Sequence, residues 1–315
     1  MTAQASGRRG VPAVAGAPRR NPWKKVLGRS QFRVGLVVLL ITFGWYGIFV
    51  FGPVIRGFTL ALQDFQLLDP ASSPWVGFKN FEMWLTYDRF WEAVQNTLIY
   101  AGVSYVVSIP LALLIAWAIS SVVRGRRIYE FTVFLPVVVS LVAIAMIFRM
   151  LMHPDFGMLN NILSSVGLPT SNWIFGQESA LMAVILLDIW KGLGFHVVLL
   201  SAAMLAVSSD LIEAARLDGA SGWQIFRNVT LPSITPTLAL CSILIVHGGL
   251  GVYVTPVVLG PGPGSSTLMM NQLIVDTAFV SFEMSLAAAG SVILFVVVVL
   301  LTALQLRIAR PPKDS

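Results

Sequence analysis

The chain has 315 residues, of which 56% are hydrophobic and 11% charged, with a mean hydropathy of +0.80. A soluble globular domain carries roughly a quarter of its residues as charge, so that class is excluded and a polytopic membrane protein is indicated. The net charge of +6 reflects where the basic residues fall along such a chain and requires no nucleic acid as a partner.

Residues 1 to 33 carry Arg8, Arg9, Arg19, Arg20, Lys24, Lys25, Arg29 and Arg33, no acidic residue, and interspersed Pro and Gly. They read as a disordered basic cytoplasmic arm lying near anionic lipid headgroups. A signal peptide is the competing reading. The apolar run that follows is about 22 residues long and lacks a small-residue cleavage site, so it is expected to remain as a first membrane helix.

Six runs, about 34–55, 93–119, 131–152, 180–205, 237–259 and 285–307, reach the roughly 20 apolar residues that cross a ~30 Å hydrocarbon core. Despite Pro110, Pro136 and Pro256 they read as helices, because backbone groups in lipid must be satisfied within the segment. The expectation is an all-α membrane protein: six transmembrane helices within a domain 34–308, then a cytoplasmic tail 309–315. With the N-terminus in the cytoplasm, all Lys and Arg except Arg56, Lys79, Arg89, Arg149 and Lys191 fall on the cytoplasmic side. That is the positive-inside asymmetry, which puts both termini in the cytoplasm and turns loops 56–92, 153–179 and 260–284 outward. The single Cys241 lies in the fifth run, where it is expected to be a small packing residue with no disulfide partner in the chain.

The material for catalysis is thin. The five lysines precede Lys25, Val26, Asn80, Gly192 and Asp314, so no phosphate-binding Lys-Ser/Thr pair exists. There is no His-Glu-x-x-His, Gly-x-Ser-x-Gly or Cys cluster, and only His153, His196 and His247 supply imidazoles. No metal site and no enzyme activity are expected. An ion-coupled secondary transporter is the alternative of another class, but it would be expected to show repeated halves and intramembrane acids, for which Asp188 is the only candidate.

Between the fourth and fifth runs sits a polar, helix-capable insert. Asp210 and Glu213 have the spacing of a capping box, starting a short helix through Ala214, Ala215, Arg216 and Leu217, which Gly219 can stop with positive φ. Ser221 and Gln224 repeat that spacing and begin a second short helix through Trp223, Ile225 and Phe226, which Leu231-Pro232 is expected to end. Two helices about a glycine elbow make a knob at 210–230. Its Ala face, Trp223 and Phe226 suit insertion into a groove on another protein; an amphipathic loop lying on the membrane surface is the competing reading.

In these residues the chain resembles the membrane permease subunits of binding-protein-dependent ATP-binding-cassette importers, in particular the maltose-type carbohydrate permeases. The resemblance rests on Glu213-Ala214-Ala215, Asp218-Gly219-Ala220, Phe226 and Leu231-Pro232, together with Trp75-Val-Gly-Phe-Lys-Asn80, Phe90-Trp91, Asn96-Thr97, Phe134-Leu-Pro136, Pro154-Asp-Phe-Gly-Met-Leu-Asn160 and Ile189-Trp190-Lys191. It covers roughly residues 30 to 308. It implies a type I importer permease fold in a bacterial inner or plasma membrane. It also implies that the knob is the coupling helix gripped by an ATPase subunit, with ATP and Mg held by two such partners and no cofactor on this chain. A second permease subunit and an extracytoplasmic solute-binding protein complete the implied assembly, with a sugar or oligosaccharide as cargo.

Two features bear on the pathway for that cargo. Asp188, Lys191, Gly192 and Phe195 lie on one face of the fourth helix, where Asp188 and Lys191 can pair. Charges at membrane depth cost about 2.5 to 3.5 kcal/mol each, so this face is expected toward a polar cavity or a subunit interface. The resemblance implies a pathway lining there, with Phe195 stacking on a sugar ring; an internal ion pair that only orders the bundle is the alternative. His196 points away and reads as packing, and Arg149 as an interfacial anchor. In the fifth helix the family often has Phe-Asp before an extracellular Gly-Gly-Pro, whereas this chain reads His247-Gly248-Gly249-Leu-Gly251 and then Gly260-Pro-Gly-Pro-Gly264. These glycines serve either a close helix contact or a space for cargo beside His247 and Gly248.

Overall fold

The computed structural model describes residues 29–308, except 67, 70, 71, 123 and 261. The expected arm over 1–28 and the tail 309–315 lie outside the described residues. The chain divides into two compact units, Met1–Arg56 and Gly57–Ser315.

In the first unit helix α1, Arg29–Tyr46, begins within the stretch expected to be arm, and leads through a π turn, Gly47–Phe51, into α2, Gly52–Ala61. Together Phe32–Ala61 form one apolar span of 30 residues. The π turn has a local cause. Pro53 lacks an N–H and its ring presses on the carbonyl four residues back; the wider turn, in which the Gly52 N–H donates to the Gly47 carbonyl, relieves that clash. Every residue from Phe32 to Ile55 is exposed, including Phe43, Trp45 and Ile48. Water would penalise such a surface and hydrocarbon does not.

In the second unit three further helices are long and apolar enough to cross a membrane: α4, Asp88–Ser120, α8, Ala180–Leu205, and α15, Met284–Ile308. Two more spans are broken. The third run, expected as one helix, is α5, Arg126–Val138, and α6, Leu141–Leu151, bent by 90°. Val139 and Ser140 between them are extended (ψ 143° and 128°), and Pro136 three residues earlier has already removed a backbone donor. The fifth run breaks once, and the helix that opens it is bent from the stretch before it. α12, Thr235–Leu250, is bent 72° from the helical stretch Gly222–Ser233 before it, and it stops at the glycines, so that α13, Val254–Leu259, is a separate short helix. Glycine weakens a helix, and Pro256 at the third position of α13 needs no donor there. Counting each bent pair as one span, the described residues hold six helical segments long and apolar enough to cross a membrane, and the protein is an all-α membrane protein.

Close approach of backbones holds this unit together. α4 buries Ala93, Thr97, Ala101, Ser104, Ser108, Ala112 and Ala116, a stripe of small residues. A Cβ on Gly249 of α12 would stand 2.9 Å from Ala101 Cα, and one on Gly194 of α8 would collide with the Val133 carbonyl of α5. Small residues at such crossings trade side-chain volume for van der Waals contact. Cys241 is fully buried among Ala112, Ala116, Val197 and Leu200.

The outer segments are fastened by side chains from the motifs that carried the resemblance. Asn80, in α3 (Lys79–Leu85), donates to the carbonyls of Ala61 and Gln63 (both 2.9 Å), and Asn96 to those of Ser265 and Leu268. Asn160, in α7 (Met158–Ser165), donates to Pro154 and Ser171 carbonyls and accepts from the Ser171 N–H and the Trp173 indole. Asn160 uses both ends of its amide and Asn80 and Asn96 their NH2 groups, standing in for a strand or helix ladder in irregular segments.

Candidate functional site

Two regions concentrate the residues singled out in the sequence. The first is the knob. Helix α9, Ser209–Leu217, is capped by Ser208, whose hydroxyl accepts from the Asp210 N–H (3.3 Å). The expected Asp210–Glu213 capping box is therefore corrected: the cap lies two residues earlier, and the Glu213 side chain is left exposed. The helix ends as expected at Gly219, with φ 78°. There the Gly219 N–H donates to Arg216 and the Ala220 N–H to Ala215, both at 3.0 Å, the paired pattern of a glycine-terminated helix. The Ser221–Gln224 box is complete: Gln224 N–H donates to Ser221 Oγ (3.4 Å) and Ser221 N–H to Gln224 Oε1 (2.7 Å).

Beyond that box the chain runs through α10, Gly222–Ile225, a π turn, Phe226–Thr230, and α11, Leu231–Ser233. Pro232 does not end the helix as expected. It follows a π turn in the same register as Pro53, with the Leu231 N–H donating to the Phe226 carbonyl, and the bend falls at Ile234. Phe226 is also corrected. It is buried, 5.3 Å from the ring of Trp117 near the end of α4 and 5.4 Å from that of Trp223, so it roots the knob and is not offered to a partner. Glu213, Ala214, Asp218, Gly219 and Pro232 are exposed, Ala215, Ala220 and Leu231 half-buried. Leu217, at the elbow, is 89% exposed.

The second region is a cavity of about 360 Å³ between α4, α6, α8, α12 and α13, of the size of small-molecule pockets. Asp188 stands on its wall. Its Oδ2 accepts from the Tyr100 hydroxyl (2.6 Å) and its Oδ1 from that of Thr255 (2.7 Å), joining α4, α8 and α13. The expected pairing with Lys191 is not made. Lys191 Nζ donates instead to the Val137 carbonyl at the end of α5 (3.2 Å), where a broken helix leaves carbonyls without partners and a cation is favoured.

Of the expected pathway residues, Asp188, Gly192 and Gly248 line the cavity; Lys191, Phe195 and His247 do not. Phe195 is exposed and meets His196 edge to face. His196, expected to be packing, does line the cavity, as do Tyr100, Ser104, Ser108, Tyr253 and Thr255, which were not singled out. Their spacing was a usable signal: Tyr100, Ser104 and Ser108, and likewise Asp188, Gly192 and His196, each recur every fourth residue, a polar stripe on one helix face. Both Gly248 and Gly249 border the cavity, and they differ in what stands beside them. Gly249 makes the close contact with α4, whereas nothing lies within 4 Å of a Cβ on Gly248. Arg149 lies beside Gly260, with Nη1 3.5 Å from where a Cβ would be. No group of three or more His, Cys, Asp or Glu fit to hold a metal ion occurs among the described residues.

Known proteins resemble this chain in sequence and in fold. The chain is 31% identical to the permease protein of a diacetylchitobiose uptake system of Streptomyces coelicolor, over 98% of this chain and 90% of that one. It is also 31% identical to the permease protein of an sn-glycerol-3-phosphate transport system of Yersinia enterocolitica, over 77% of this chain and 83% of that one. A crystal structure of a bacterial ABC transporter involved in the import of the acidic polysaccharide alginate superposes with a TM-score of 0.79 at 26% identity, covering 94% of this chain and all of that one. Residues 108–311 match the model of the binding-protein-dependent transport system inner membrane component, and the chain belongs to that family.

Proposed function

We propose that this chain is the transmembrane permease subunit of an ATP-binding-cassette importer for a sugar or oligosaccharide, driven through the knob by partner ATPases. The observation that carries the reading is the knob's construction. Its root, Phe226, is buried against the half-buried Trp117 and the inner face of the exposed Trp223, while Glu213, Asp218, Gly219 and the apolar Leu217 stand outside on a helix terminated at both ends. Such a unit can be pushed as a rigid body, and its displacement reaches α4 through Trp117.

The permease does no chemistry of its own. Two ATPase subunits hold ATP and Mg, a second permease subunit completes the pathway, and an extracytoplasmic binding protein delivers cargo to the outer loops. Both termini lie in the cytoplasm. ATPase closure shifts the bundle between inward-facing and outward-facing states, for which a few kcal/mol of differential binding is sufficient. A relative whose name specifies diacetylchitobiose uptake, and a solved neighbour in complex with a periplasmic protein bound to an alginate pentasaccharide, support the carbohydrate reading.

The test is coupling. Purified with its operon partners and reconstituted, the chain should retain ATPase subunits and show ATP-dependent uptake; Glu213→Lys and Gly219→Asp should insert normally, hydrolyse ATP and fail to transport. Normal transport by both variants would remove the coupling assignment. Uptake that ignores ATP and follows an ion gradient would establish the secondary-transporter reading in its place.

A further inference from the structure

The family relation leaves the charge of the cargo open, since named relatives serve both a neutral disaccharide and a phosphate ester. The cavity beside Asp188 speaks to it. No Lys or Arg lines this cavity: Lys191, one turn from Asp188, is turned to the Val137 carbonyl, and Arg149 lies at Gly260. The only formally charged side chain on the wall is Asp188. Both its oxygens accept hydrogen bonds from hydroxyls.

The remaining wall is hydroxyl, imidazole and bare backbone. Ser104 is 7% exposed, and its Oγ has no hydrogen-bond partner; neither has Nδ1 of His196. Buried polar atoms are nearly always satisfied, so two orphans on one cavity wall mark places where a ligand's own donors and acceptors complete the pairing. Gly192 and Gly248 leave room beside them, with nothing within 4 Å of a Cβ at either position.

We infer that this cavity is a charge filter that admits uncharged polyhydroxyl cargo and rejects carboxylated or phosphorylated cargo, with Asp188 as the specificity-determining residue. The inference rests on the importer reading and deepens it. An uncharged sugar ring supplies several hydroxyls, each donor and acceptor at once, to Ser104, His196 and the outer lone pairs of Asp188. An anion brought to the same place meets the Asp188 carboxyl on a wall to which the described residues contribute no Lys or Arg, in surroundings that screen poorly.

The test uses the assembled transporter in lipid nanodiscs, without its binding protein, titrated with diacetylchitobiose and maltose as neutral probes and with sn-glycerol 3-phosphate and an alginate disaccharide as anionic ones. The wild type should bind a neutral probe at least about tenfold more tightly than either anion. Asp188→Asn should shrink that ratio about fivefold or more, and Gly192→Lys should shrink it further, while Gly192→Ala should not. An anion bound as tightly as the best neutral probe, no neutral probe bound at all, or a ratio unmoved by Asp188→Asn overturns the inference. If Asp188→Asn fails to assemble, an unmoved ratio in Gly192→Lys does so. ATPase copurification and ATP-driven uptake are read on the same preparation. A coupled transporter that admits anions therefore sinks the filter alone, and a chain with no ATPase partner sinks the importer reading.

Discussion

The knob and the cavity are built on opposite plans. Every terminus of the knob is closed by a neighbour in sequence: Ser208 with Asp210, Gly219 and Ala220 with Arg216 and Ala215, Ser221 with Gln224. The cavity has no local logic of that kind. Asp188 is satisfied by Tyr100, 88 residues away, and by Thr255, 67 residues away. A local plan suits a part that must keep its shape while it is moved, because its hydrogen bonds travel with it. A distributed plan suits a part that must change as helices shift, because every contact on its wall spans a moving interface.

Substitutions that remove one kind of support and spare the other break or sharpen this comparison. The largest effect is expected at the distributed region. Gly249→Val forces bulk into the contact with Ala101 and should destabilise the bundle by about 3 kcal/mol or more. It should be read as lost yield and early thermal unfolding, whereas Gly248→Ala on the open side should leave both unchanged. Equal damage from the two would show that the glycines have a shared role.

At the junction between the regions, Trp117→Ala removes the ring on which Phe226 and Trp223 rest. It should loosen the knob by roughly 2 kcal/mol, somewhat below a fully buried aromatic. Limited proteolysis within 208–233 should accelerate while the spans stay protected. If the knob remains as resistant as in the wild type, its rigidity is wholly local. The smallest effect falls on a single cap: Ser221→Ala should cost about 1 kcal/mol of local helix stability, visible as faster amide exchange over 221–226 with transport largely retained.

Legibility in the sequence follows the same division. The elbow at Gly219 and the Ser221–Gln224 box could be read because both ends of each interaction lie within six residues. The Asp210–Glu213 box was misplaced because Ser208, two residues earlier, competes for the same orphan N–H groups and wins. Phe226 was assigned outward from its neighbours alone, while its burial is caused by Trp117, over a hundred positions away in the chain. The third span was read as continuous because its apolar run is uninterrupted; the bend at Val139–Ser140 becomes tenable with Lys191 on the Val137 carbonyl.

Composition by itself determined that this chain belongs in a membrane, and apolar run length determined where it crosses, since both depend only on transfer from water to hydrocarbon. The elbow at Gly219 and the Ser221–Gln224 box were determined by local sequence too. Only the tertiary structure decided which side of α8 faces the cavity. At about 100° per residue, Lys191, Phe195, Asp188, Gly192 and His196 share an arc of roughly 140°. Packing of Gly194 against α5 and the bonds from Asp188 to α4 and α13 turn that arc so that Asp188, Gly192 and His196 face the cavity and Lys191 and Phe195 do not. The rotation of a helix about its own axis is set by what its neighbours contribute, and those neighbours come from distant parts of the chain.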